Sequence, residues 1–115
     1  MGKNRRLERR QVAEKRWPLL TNAMTCHFNQ DYAIIYGSLD GAMAAVARDG
    51  SLEHRRAILR EWRDWNATEG AIVDIRPLLY DGFGVDLLFK TPAVARHFMD
   101  RVYDELVSSV KAETR

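Results

Sequence analysis

Cysteine and long apolar runs are both scarce in this chain. A single cysteine, Cys26, stands among 115 residues, so no disulfide can close within the sequence and stability must come from packing. No apolar run approaches the roughly 20 residues needed to cross a bilayer. Residues 1–16 contain no apolar core of the kind a secretory signal needs. These features favour the cytosol as the expected location. No internal repeat is present, and no low-complexity tract apart from a basic N-terminal stretch. The three histidines, His27, His54 and His97, lie far apart and lack the short spacings of a zinc site. Gly82-Phe83-Gly84 lacks the lysine-bearing pattern of a phosphate loop and reads as a turn. No metal or cofactor is expected.

What is present is an ordinary globular composition, 46% hydrophobic and 30% charged, in a length that suits one domain. The net charge of +2 hides an asymmetry. Residues 1–16 hold seven cations (Lys3, Arg5, Arg6, Arg9, Arg10, Lys15, Arg16) against Glu8 and Glu14, a balance of +5. Residues 17–115 hold eleven cations and fourteen anions, a balance of −3. The expected organisation is therefore a basic arm over residues 1–16, frayed helix or disordered, followed by one domain over 17–115.

The apolar spacing predicts a mainly α domain of four to five helices. Pro18 suits the first turn of a helix that carries Leu19, Leu20, Ala23 and Met24. Ser38 and Ser51 are N-cap residues, and Gly50 is a natural stop between the helices they open. Ile58, Trp62 and Trp65 share one helical face, and Trp62 is expected in the core. Thr91 and Pro92 open a last helix with the stripe Val94, Phe98, Val102, Leu106 and Val110, laced by Arg96–Asp100 and Arg101–Glu105 pairs.

Residues 71–90 are ambiguous. Val85, Leu87 and Phe89 alternate as in a strand, and a short β-hairpin with residues 71–76 would supply its partner. The alternative is a helix opened by Asn66 or Thr68, since Ile72, Ile75 and Leu79 also fit helical spacing.

Trp17-Pro18-Leu19-Leu20, Phe28-Asn29-Gln30-Asp31-Tyr32, Tyr36-Gly37-Ser38 with Ala42, and the Ser-capped Ser51-Leu52-Glu53-His54-Arg55-Arg56 follow one another in order. Over residues 17–65 this series resembles the immunity proteins of contact-dependent growth-inhibition systems in Gram-negative bacteria. Asn29 stands where that family often has histidine, and beyond Trp65 the similarity is loose. The resemblance implies a cytoplasmic antidote, not an enzyme, whose partner is the C-terminal domain of a secreted toxin, commonly a nuclease.

An inhibitor of a nuclease covers a surface built for phosphates, so a mildly acidic body suits the task. The toxin-binding carboxylates expected from charge and exposure are Glu61, Asp64, Glu69, Asp74, Asp81 and Asp86. Reversing Asp81 and Asp86 to lysine is expected to weaken binding while leaving folding almost unchanged. The alternative is a nucleic-acid-binding or regulatory protein that uses the basic arm, although no base-stacking set or reading motif accompanies it. Cys26, His27 and Asp31 contain the residue types of a catalytic set, yet sequence neighbours on a helix point about 100° apart. Asp100 and Asp104 read as a solvated helical face, with arginines nearby.

Overall fold

The computed structural model describes residues 2–114, with side chains from residue 5 onward. Its elements are α1 (Gly2–Arg16), α2 (Pro18–His27), α3 (Tyr32–Tyr36), α4 (Leu39–Arg48), α5 (Leu52–Ala67), a π-helical turn (Leu78–Gly82) and α6 (Pro92–Glu113). Among the described residues there is no strand. The expected mainly α architecture is found, and the β-hairpin held open near 71–90 does not form among the described residues.

The helix starts follow local chemistry. The hydroxyls of Ser38, Ser51 and Thr91 each accept from the backbone N–H three residues on, at Gly41, His54 and Val94. Each satisfies a donor that has no partner inside its helix. Gly50, at φ +80, supplies the left-handed residue between α4 and α5. Pro18 and Pro92 occupy first turns, where a missing N–H costs nothing.

α6 is the spine. Its Ala95, Phe98, Met99, Val102 and Leu106 are buried against α4 and α5. Trp62 lies in this core at 5% exposure, and its indole N–H donates to Met99 O at 3.1 Å. It packs on Trp65 and Tyr103, with ring centroids 6.1 and 4.6 Å away. Phe28, Phe89 and Phe98 stack edge-on to tilted beside it, 4.9 and 5.1 Å between centroids.

The basic arm departs from expectation. Residues 2–16 form a helix that packs on the π turn and on α2. Ala13 is buried, and its carbonyl accepts from the Thr21 hydroxyl and the Trp17 N–H. The thin stripe of Leu7, Val12 and Ala13 understated this packing. The helix is held mainly by arginines reaching to the body, a term that hydrophobic periodicity does not register.

Residues 68–90 also differ from both readings. α5 stops at Ala67, so no helix opens at Asn66 or Thr68. Gly70 lies under the Trp65 ring, where a Cβ would stand 3.0 Å from ring atoms. Arg96 leaves Asp100 and donates instead to Asn66 Oδ1 (2.7 Å), Gly70 O and Ile72 O (3.3 Å). A guanidinium thus satisfies loop carbonyls that a helix or a ladder would have used. Ile75 is buried but Ile72 is 51% exposed, so the apparent helical stripe does not share a face. Gly84, at φ +67, turns the chain out of the π turn into an extended run.

Candidate partner-binding surface

The six carboxylates chosen from the sequence do not form one acidic face. Glu61 is half-buried, and its Oε1 accepts from the Leu20 N–H at 2.9 Å, near the start of α2. Asp64 accepts from the Trp17 indole N–H at 2.8 Å and faces Arg16 at 3.5 Å. Glu69 is half-buried at a shallow hollow lined by Arg5, Glu8, Arg9 and Val12. Burial pushes its carboxyl above the ordinary range, against the opposing pull of Arg16 and Arg9.

Asp81 sits 18% exposed between Arg9 Nη1 at 2.6 Å and Arg6 Nε at 3.8 Å. Asp74 is clasped by Arg76 two residues on, at 2.8 and 2.9 Å, and those bonds hold its carboxyl below the ordinary range. Only Asp86 is both exposed and without a side-chain partner among the described residues.

Three of the six (Asp64, Glu69, Asp81) therefore lie beside α1, Glu61 bonds the first turn of α2, and two (Asp74, Asp86) lie apart. The charge asymmetry of the sequence is folded back on itself. Arg10 adds bonds to Thr25 Oγ1 (3.0 Å) and Gly82 O (3.2 Å) from the same helix. With Arg6, Arg9, Arg10 and Arg16 engaged, Arg5 and Lys15 are the exposed arm cations lacking a described partner. Lys3 lies outside the described side chains. This arrangement does not favour the arm as a nucleic-acid tail.

The other constellations separate in space. Cys26 is exposed and lies 3.6 Å from Asn22 Oδ1. His27 is buried, with Nδ1 at 2.7 Å from Ala23 O, Nε2 at 3.4 Å from Asp49 and its ring stacked on Tyr36. Thiol and imidazole do not meet. Asp100 and Asp104 are both exposed on α6. Among the described residues no three His, Cys, Asp or Glu side chains converge as a metal site, and no helix is long and apolar enough to cross a membrane.

A different surface emerges from the structure. An apolar groove of about 360 Å³ runs between α3, the start of α4, the extended run after Gly84 and the first turns of α6. Tyr32, Leu39, Leu87, Leu88, Val94 and Phe98 line it, with His97 and Arg101 at its edge. Leu88 is 84% exposed and Val94 49%, and Ile34 and Ile35 are exposed on α3, the helix that supplies Tyr32. Asp31, Asp40 and Asp86 are exposed and adjoin lining residues in the chain.

The sequence held one clue to this surface. Val85, Leu87 and Phe89 fill the inward phase of the alternation, so Leu88 falls on the outward phase, where an apolar side chain has no core to enter. No family model, curated protein or solved structure matches the chain.

Proposed function

We propose that this chain is an immunity protein. It binds and neutralises the toxin domain of a contact-dependent growth-inhibition system through the apolar groove, not through the carboxylates engaged within the fold. The observation that supports this reading is the groove itself: exposed Leu88 and Val94 line one hollow together with Tyr32, Leu39, Leu87 and Phe98. Contiguous exposed apolar surface is costly in a monomer and marks sites that another macromolecule covers. The resemblance over residues 17–65, which includes the Tyr32 block and the Ser38 cap beside the groove, points the same way.

The acidic contribution narrows. Asp31 and Asp86, exposed and next in the chain to groove-lining Tyr32 and Leu87, suit a cationic partner with protruding apolar side chains, whereas Asp40 is held by Arg101 at 2.7 Å. Glu61, Asp64 and Asp81 support the fold instead, because each already bonds a group of this chain. A nuclease domain, whose substrate surface is cationic, fits that rim.

Co-expression with the toxin domain encoded immediately upstream tests the reading. Cells carrying this protein should survive toxin induction. Val94→Asp, which places a charge on the groove wall without entering the core, should abolish protection while the protein stays folded. Equal killing with and without the native protein would end the proposal.

A further inference from the structure

A separate hollow, of about 430 Å³, lies where the C-terminal halves of α4 and α6 meet the start of α5. Its walls are small: Ala44 and Ala47 come from α4 and Ala112 from α6, so the space between the two helices stays unfilled. Its polar groups are Arg48, Arg55 and the hydroxyls of Ser108 and Ser109. The carboxylates at its edge are Glu105 and Glu113.

Arg55 is the unusual member, a guanidinium only 3% exposed. Its Nε donates to Ser51 O at 3.4 Å, its Nη1 to the Ser109 hydroxyl and its Nη2 to Glu113 Oε1. A buried guanidinium needs an anion, because an uncompensated buried charge is strongly destabilising. The anion here is borrowed from the end of the chain. Glu113 is the last residue of α6 and its side chain is 52% exposed, so it sits where a helix opens most readily. Glu105 is turned to Arg101, at 4.0 Å. Arg48 is exposed on the rim and has no acidic partner among the described residues. One displaceable carboxylate therefore stands against two arginines.

We infer that this hollow binds a small phosphomonoester, whose phosphate replaces the Glu113 carboxylate on Arg55. A phosphate brings three acceptor oxygens and a charge of about −1.5 to −2 at neutral pH. Its oxygens suit the planar fork of the guanidinium, and its charge beyond that of a carboxylate meets Arg48. Ser108 and Ser109 donate to the remaining acceptors. The volume lies within the range of about 300–1,000 Å³ usual for small-molecule sites, and the alanine walls take the organic body. Glu113 swings into solvent on binding and acts as an internal competitor. The inference does not depend on the toxin reading. The groove uses the first turns of α6 and this hollow its last turns.

NMR titration of the labelled full chain with inorganic phosphate at constant ionic strength tests it, with sodium chloride and acetate as the other arms. Phosphate should give saturable shifts centred on the Arg48, Ser108 and Ser109 amides, and acetate should bind at least about fivefold more weakly. Glu113→Gln keeps the shape and removes the competitor, so phosphate should bind about two- to fivefold more tightly, the value of a part-exposed ion pair. Arg48→Ala, at an exposed position, should weaken phosphate by about fivefold. Phosphate should also raise the melting temperature of Glu113→Gln more than that of the parent, a readout that holds in a destabilised variant. Shifts that fail to saturate, or that chloride reproduces, overturn the inference. So does a Glu113→Gln protein that binds phosphate no more tightly than the parent, or an Arg48→Ala protein that binds it equally. Acetate binding as tightly as phosphate would assign the hollow to carboxylates and overturn the phosphomonoester.

Discussion

Reversing one carboxylate on the π turn should detach the N-terminal helix. Asp81 accepts from Arg9 at 2.6 Å and has Arg6 at 3.8 Å, with its side chain 18% exposed and that of Arg9 31% exposed. A charge-assisted bond is worth about 1.5–3 kcal/mol when well shielded, and an exposed pair only about 0–1 kcal/mol. Partial exposure sets the loss for Asp81→Asn near 1 kcal/mol. Asp81→Lys adds repulsion from two arginines and should cost about 2–3 kcal/mol in all, much of it through loosening α1. At about 4 °C per kcal/mol for a chain of this size, the melting temperature should fall by about 8–12 °C. Thermal melts by circular dichroism read the shift, and amide exchange reads protection in α1. Added salt should narrow the gap between parent and variant, since the repulsion is screened. A variant that melts within about 2 °C of the parent, with α1 amides still protected, would refute the assignment of this ion pair as the anchor of the helix.

Other expectations follow from single contacts. Asp86→Lys, at an exposed and unpaired position, should change stability by no more than about 0.5 kcal/mol in dilute solution, measured by the same melts. Trp62→Ala should cost about 3–5 kcal/mol in chemical denaturation, since it empties a site at 5% exposure and orphans a bond to Met99. Thr91→Ala, which removes the cap bond to the Val94 N–H, should cost about 1 kcal/mol in the same assay. Glu69 holds its proton more tightly folded than unfolded, because burial raises its carboxyl. Its contribution to stability is therefore present at acid pH and lost as pH rises through its raised folded value. Glu69→Gln should flatten that segment of a melting-temperature profile against pH.

The helical core was legible because caps and apolar spacing are local signals. Ser38, Ser51, Thr91 and Pro92 act where the sequence places them, and Trp62 lies in the core. Contacts between distant segments were not legible. Arg9 meets Asp81 across 72 residues and Arg96 meets Gly70 across 26, and neither spacing leaves a periodic trace. The same limit explains the site. A carboxylate at a helix end looks available in a sequence, yet Glu61 and Asp64 bond Leu20 and Trp17. The groove needs α3, α4 and α6 brought together before it exists. Integration of α1 also changes how the arm is probed. Deleting residues 1–16 removes Ala13 and the Asp81 anchor and so perturbs the fold. Replacing exposed Arg5 and Lys15 with alanine tests nucleic-acid binding without that loss.

The central claim is that the groove seats a toxin domain, and titration calorimetry with the purified upstream-encoded domain tests it most directly. Native protein should bind with one-to-one stoichiometry. Val94→Asp, at a groove-lining position 49% exposed, should melt like the parent and bind at least about a hundredfold more weakly, as a central anchor lost from an interface commonly does. Unchanged affinity in that folded variant, or no binding by the native protein, would contradict the account.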